Sequence, residues 1–149
     1  MNAIKCEKAG LIMEAEIGVL KGYKIFVAED DKDVQAFMKR CLEYYGAHVT
    51  AVSNGRDAVN TLLHQSFDVA LMDIEMPLCD GLEAAGEVRE KGYREPIVAL
   101  SSLCSRPDLQ VSLNERFDEK LDKPVVVPTL IETIRHLKEK HDETVLNFH

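Results

Sequence analysis

A chain of 149 residues, 46% hydrophobic and 30% charged, suits one globular domain with a full core and is too short for two domains of ordinary size. The formal net charge of -8 argues against a surface built to bind nucleic-acid phosphates and fits a carboxylate-rich site instead. The four cysteines, Cys6, Cys41, Cys79 and Cys104, form neither a CxxC pair nor a zinc-ligand spacing, so they read as free thiols of a reducing compartment.

Residues 1–22 precede the periodic part of the chain. Their apolar patch, Leu11 to Met13, is interrupted by Glu14 and Glu16, which leaves neither a signal-peptide core nor a membrane span. A cytoplasmic location without membrane contact is expected. Leu11, Ile12, Ile17, Val19 and Leu20 mark this extension as one that packs on the domain or on a partner.

From Lys24 onward, short apolar runs alternate with helical periods. The runs are KIFVA (24–28), HVTAV (48–52), FDVALM (67–72), PIVAL (96–100) and FDEKL (117–121), and the alternation predicts a parallel sheet covered on both faces, a three-layer αβα sandwich. The first helix, Asp31 to Tyr45, carries Val34, Phe37, Met38, Cys41, Leu42 and Tyr45 on one stripe and ends at Gly46. Pro107 to Glu115 is the weakest helical pattern. The last helix has Thr129 and Glu132 at capping-box spacing ahead of Leu130, Ile131, Ile134 and Leu137, and the polar tail after Lys140 is expected to fray.

KIFVA, FDVALM and PIVAL are mostly apolar and belong in the centre of the sheet, whereas HVTAV and FDEKL carry polar residues and belong at its edges. With right-handed crossovers this gives five parallel strands in the flavodoxin-like order 2-1-3-4-5. The division of the chain is then an extension (1–22), one domain (23–140) and a short tail (141–149).

In an open parallel sheet, ligands bind beyond the carboxyl ends of the strands. There the first strand delivers Glu29, Asp30 and Asp31, the third Asp73, the fourth Ser101 and Ser102, and the fifth Lys123 before Pro124. Clustered carboxylates repel unless a cation neutralises them, and an oxygen-only donor set suits magnesium better than zinc. Asp73, which ends the apolar run FDVALM, reads as an exposed carboxylate placed to attack phosphorus, with Lys123 and Ser101 on the phosphoryl oxygens. Asp31 reads as the cap of the first helix and Ser102 as a plain loop residue. Cys79 and Cys104 read as inert surface thiols, and the histidines show no ligand spacing.

In order and spacing, IFVAEDD, LMDIEMPLCDG, PIVALSS and KLDKP resemble the landmarks of two-component receiver domains over about residues 23–140. The resemblance implies a flavodoxin-like receiver fold with Asp73 as phosphoacceptor, Glu29 and Asp30 as the acidic pair that holds Mg2+, and Glu75 lending its backbone carbonyl to the metal. It makes Ser101 the switch hydroxyl and Lys123 the family lysine, joined to Pro124 by a cis bond. It further implies phosphoryl transfer from a sensor histidine kinase or a histidine phosphotransfer protein. Such a domain catalyses its own phosphoryl uptake and autodephosphorylation but is primarily a signalling switch.

Two departures qualify the resemblance. Lys120 stands where the family usually has an aromatic residue that couples the switch hydroxyl to the output face. Glu75 and Leu103, each two residues beyond a landmark, predict slow dephosphorylation, because Leu103 cannot orient water and Glu75 disfavours an approaching anion. The alternative reading is a degenerate receiver acting as an interaction module without phosphorylation. A flavodoxin is disfavoured by the acidic loop AEDDKD, and a phosphatase with an Asp nucleophile by Glu75 where a second Asp is wanted. The receiver reading leaves a stand-alone regulator or a receiver from a hybrid sensor kinase; LKGYKIFVAEDD resembles the segment leading into the latter, in which phosphate passes onward to a phosphotransfer histidine.

Overall fold

Strands and helices alternate along the chain in the computed structural model, which describes residues 17–76, 78–102 and 106–147. They are β1 (Lys24–Ala28), α1 (Lys32–Tyr44), β2 (His48–Val52), α2 (Gly55–His64), β3 (Val69–Asp73), α3 (Gly81–Glu90), β4 (Ile97–Ser101), α4 (Gln110–Arg116), β5 (Glu119–Asp122) and α5 (Val127–Asn147), with a 3-10 turn at Pro107–Leu109 leading into α4. The strands form one parallel sheet of order β2-β1-β3-β4-β5, as the apolar runs predict. β3 and β4 are buried along their whole length, whereas β2 and β5 are only partly covered.

Alternate strand residues serve opposite faces of the sheet. Phe26, Ala28, Ala70 and Met72 join Leu62, Ala84, Val88 and Leu113 in the core under α2, α3 and α4. Ile25, Val27, Leu71 and Leu100 join Leu42, Leu130 and Ile134 under α1 and α5. All eight of these strand side chains are fully buried, so the sheet is held by two independent apolar layers and its carboxyl edge is free to carry polar groups.

The helix ends follow local chemistry. Asp31 caps α1, its Oδ1 accepting from the N–H groups of Asp33 and Val34 at 2.9 and 3.2 Å. Gly46 ends that helix at φ 104°, a left-handed conformation that glycine adopts without a Cβ penalty. Leu20 is fully buried and its N–H donates to the Tyr45 carbonyl at 2.9 Å. The extension therefore packs on the domain through Val19 and Leu20 while Ile17 is exposed, and its earlier apolar residues, Leu11 and Ile12, lie outside the described residues.

Two local expectations are corrected at α5. Thr129 lies inside the first turn, because the Leu130 N–H already donates to the Val126 carbonyl at 3.0 Å, so the Thr129–Glu132 spacing is not a capping box. Pro128 suits that first turn, where its missing N–H has no helical partner to lose. The helix also continues past Lys140 to Asn147 instead of fraying. Lys138 pairs with Asp142 at 3.1 Å and the Thr144 hydroxyl donates to the Lys140 carbonyl at 3.1 Å, and no glycine or proline interrupts the segment.

Gly81 opens α3 directly over the end of β3, where an added Cβ would meet the Asp73 carbonyl oxygen at 2.2 Å. Since that obstacle is backbone, Gly81→Ala is expected to destabilise the protein by about 1–3 kcal/mol, read as a lower urea midpoint with an unchanged slope.

Candidate functional site

The carboxyl ends of β1, β3, β4 and the segment after β5 meet at one edge of the sheet. Glu29 and Asp73 are 1% and 2% exposed and Ser101 is fully buried. Asp73 therefore sits beneath the surface, contrary to the exposed position expected from sequence, its carboxylate enclosed by Lys123 and the Glu75 backbone.

Two buried carboxylates this close are costly without a cation. Lys123 supplies it: its Nζ lies 3.0 Å from Asp73 Oδ2 and 3.1 Å from Glu29 Oε1. The remaining carboxylate oxygens are met by backbone, with the Glu75 N–H donating to Asp73 Oδ1 at 3.0 Å and the Asp31 N–H to Glu29 Oε2 at 3.1 Å. The Lys123–Pro124 bond is cis.

Glu29 feels its burial. Desolvation, aided by the nearby Asp73 charge, pushes its carboxyl up to about 7 against the opposing Asp31 N–H and the Lys123 ammonium. For Lys123, burial pulls the ammonium down, but its hydrogen bonds and charge attraction to Asp73 and Glu29 outweigh that and leave it raised. One ammonium thus neutralises less charge than the site contains. Glu29, Asp30 and Asp73 each present a carboxylate oxygen within 4.8 Å of one another, an oxygen-only donor set whose surplus charge suits a hard divalent cation.

Three features of the site were not legible in the residue pattern. The Gln35 side-chain N–H group lies 2.9 Å from the Glu29 carbonyl and 2.8 Å from the Val52 carbonyl, tying the acidic loop to α1 and β2. The Ser101 hydroxyl donates to Glu75 Oε1 at 3.3 Å. Lys120, in place of the expected aromatic residue, turns its ammonium onto α4, donating to Gln110 Oε1 at 3.1 Å and Asn114 Oδ1 at 2.7 Å.

At the rim, Leu78 is 78% exposed and holds φ 69°, a conformation that costs a leucine about 1–2 kcal/mol. Cys79 is buried, not the surface thiol expected. Arg56 donates to its sulfur at 3.6 Å, and burial raises the thiol further from its reactive form. Asp31 serves as the helix cap and Ser102 is exposed. Pro77, Leu103 and Cys104 lie outside the described residues.

With this geometry in place, comparison identifies the class. The response regulator receiver domain model matches residues 25–135, and the chain belongs to that family, the receiving module of two-component signalling. An uncharacterized 14.6 kDa protein of Leptolyngbya boryana is 34% identical over 113 residues, covering 74% of this chain and 86% of its own length. Transcription factor SKN7 of Saccharomyces cerevisiae is 34% identical over 121 residues, 80% of this chain but only 20% of that much longer protein. Among solved structures, the receiver domain of sensor histidine kinase PA1611 from Pseudomonas aeruginosa PAO1 superposes with a TM-score of 0.74 at 29% identity, covering 79% of this chain and 98% of that one. That structure holds a magnesium ion in its active site cleft. No helix among the described residues is long and apolar enough to cross a membrane.

The raised Glu29 carboxyl makes folding depend on pH with a defined sign. Between its ordinary value of 4.5 and about 7 the folded state holds a proton that the unfolded chain has released, so this group stabilises at low pH and loses its contribution as pH rises through that window. In magnesium-free buffer, wild type should lose up to about 3 kcal/mol relative to Glu29→Gln across it. Urea unfolding of both proteins at several pH values checks the difference; a flat one refutes it.

Proposed function

We propose that this chain is a phosphorylatable receiver, taking a phosphoryl group from a phosphohistidine onto Asp73. The observation that carries the reading is the buried Asp73 carboxylate held between the Lys123 ammonium and the Glu75 N–H, beside Glu29 and Asp30. A degenerate module has no use for so costly a cluster.

Asp73 is the nucleophile: one carboxylate oxygen forms a bond to phosphorus as the bond to the histidine nitrogen breaks, leaving an acyl phosphate and a free imidazole. Its alignment comes from the Glu75 N–H and Lys123, which fix the carboxylate before the donor arrives. Lys123 contributes a positive charge where negative charge gathers on the phosphoryl oxygens. Ser101, at the end of β4, offers a hydroxyl donor to the acceptor's new group. Glu29, Asp30, Asp73 and the backbone carbonyl of Glu75 are the groups that would hold Mg2+, which when bound neutralises charge on the phosphoryl oxygens. The added charge of roughly two units then biases the face formed by α4 and β5, where the Lys120 contacts to Gln110 and Asn114 replace an aromatic coupling.

The partner reading is a sensor histidine kinase or a histidine phosphotransfer protein, the chemical class that presents a phosphohistidine. A groove of about 340 Å³ supports it, lined by Val34, Phe37 and Cys41 of α1 together with Pro124, Val125 and Leu130, and by Lys123 of the site itself. An apolar helix face can dock there within reach of Asp73. The likeness to the receiver of PA1611, a sensor histidine kinase, favours a receiver from a hybrid kinase, and the cytoplasm is the proposed location.

Acetyl phosphate or beryllofluoride with Mg2+ should give an adduct by intact mass, or a chemical-shift change around the site, that Asp73→Asn abolishes and metal chelation prevents. Lys123→Ala should slow uptake about a hundredfold. Once formed, phospho-Asp73 should persist for minutes or longer; decay within seconds would contradict the expected effect of Glu75 and Leu103. Val34→Glu in the groove should weaken transfer from a phosphohistidine protein about tenfold while leaving uptake from acetyl phosphate unchanged; equal loss with both donors would remove the groove from the docking surface.

A further inference from the structure

Glu75 touches both halves of the proposed switch. Its backbone N–H donates to Asp73 Oδ1 at 3.0 Å, and its side-chain Oε1 accepts from the Ser101 hydroxyl at 3.3 Å. Glu75 therefore links the acceptor, through its backbone, to the hydroxyl that a phosphoryl group on Asp73 would engage, through its carboxylate. A carboxylate oxygen and a phosphoryl oxygen are the same kind of partner for that hydroxyl: anionic, acceptor-only and planar or tetrahedral at about the same reach.

We propose that Glu75 is a built-in competitor for Ser101, occupying the hydroxyl's donor in the unphosphorylated protein and releasing it when a phosphoryl group arrives on Asp73. The inference rests on the receiver reading and adds to it a residue that sets how readily the site closes. A hydroxyl has one proton to donate, so Ser101 cannot serve both anions with it. Ser101 is fully buried, whereas Glu75 is exposed, so Glu75 is the partner able to leave, its carboxylate recovering hydration as it swings outward. Among the described residues no cation pairs with Glu75, and Lys123 is taken up by Glu29 and Asp73. Repulsion from the incoming charge drives the release, and the lost hydrogen bond lowers the affinity for any tetrahedral anion at the site. Glu75 thus acts through Ser101 as a positioning residue.

The test is a beryllofluoride titration with Mg2+, followed by chemical shift, of wild type, Glu75→Gln, Glu75→Ala, Ser101→Ala, Ser101→Thr and each Glu75→Ala combination. Glu75→Ala should tighten beryllofluoride about tenfold, the worth of one hydrogen bond to a charged acceptor. Glu75→Gln, which keeps an oxygen acceptor without the charge, should fall between. In the Ser101→Ala background the gain should largely vanish, and in Ser101→Thr, which keeps a hydroxyl, it should return. Equal gains in the Ser101→Ala and wild-type backgrounds would overturn the proposal, because charge would then be acting through space without the contact; so would a Glu75→Ala variant that binds no tighter. In both cases an Asp73-dependent response would leave the receiver reading intact. A response that survives Asp73→Asn, or none in any variant, would overturn both.

Discussion

The ammonium of Lys123 between the carboxylates of Glu29 and Asp73 is the interaction on which the site depends. Both acids stand at the ends of neighbouring strands in the sheet's buried centre, where an unpaired charge would be shed by protonation. The lysine arrives from beyond β5, and in the order β2-β1-β3-β4-β5 it must pass the end of β4 to reach them. Ser101 occupies that strand end with a side chain small enough to be fully buried there. Gly81 makes the matching concession on the other side, letting α3 start against the Asp73 carbonyl.

The surrounding polar groups hold this charge balance short of neutrality. Backbone N–H groups of Asp31 and Glu75 meet the carboxylate oxygens that Lys123 leaves, and Gln35 anchors the Glu29 carbonyl to the sheet. The raised Glu29 carboxyl records what remains uncompensated. Such a deficit is wasteful in a structural cluster and useful in one that binds a hard cation, which is why the acids read as a site and not as a fold-stabilising network.

Two polar substitutions give the proposed switch its own character. Lys120 joins β5 to α4 through amide acceptors on Gln110 and Asn114, so any shift of α4 must exchange hydrogen bonds where an aromatic residue would rotate. Glu75 places a carboxylate on the Ser101 hydroxyl. Both bring hydrogen bonding and charge to the switch, and both therefore tie the balance of states to electrostatics.

Strand periodicity and run composition were enough to read the architecture, because KIFVA, FDVALM and PIVAL can be satisfied only when covered on both faces, while the polar residues in HVTAV and FDEKL need an edge. The same logic placed Glu29, Asp30, Asp73, Ser101 and Lys123 at one edge, since the carboxyl ends of parallel strands share a side. Helix ends were less legible: Thr129 matched a capping spacing, yet Pro128 had already started α5, and local spacing does not register a neighbour's preference. What tertiary structure alone decided is depth and partnership. Asp73 is buried with Lys123 and the Glu75 backbone on its carboxylate, Cys79 packs against Gly55 at the start of α2, and Glu75 meets Ser101 because separate strands bring them together. A linear pattern records which groups reach a surface; only the packed chain determines which of them are withheld from water and which proton each one shares.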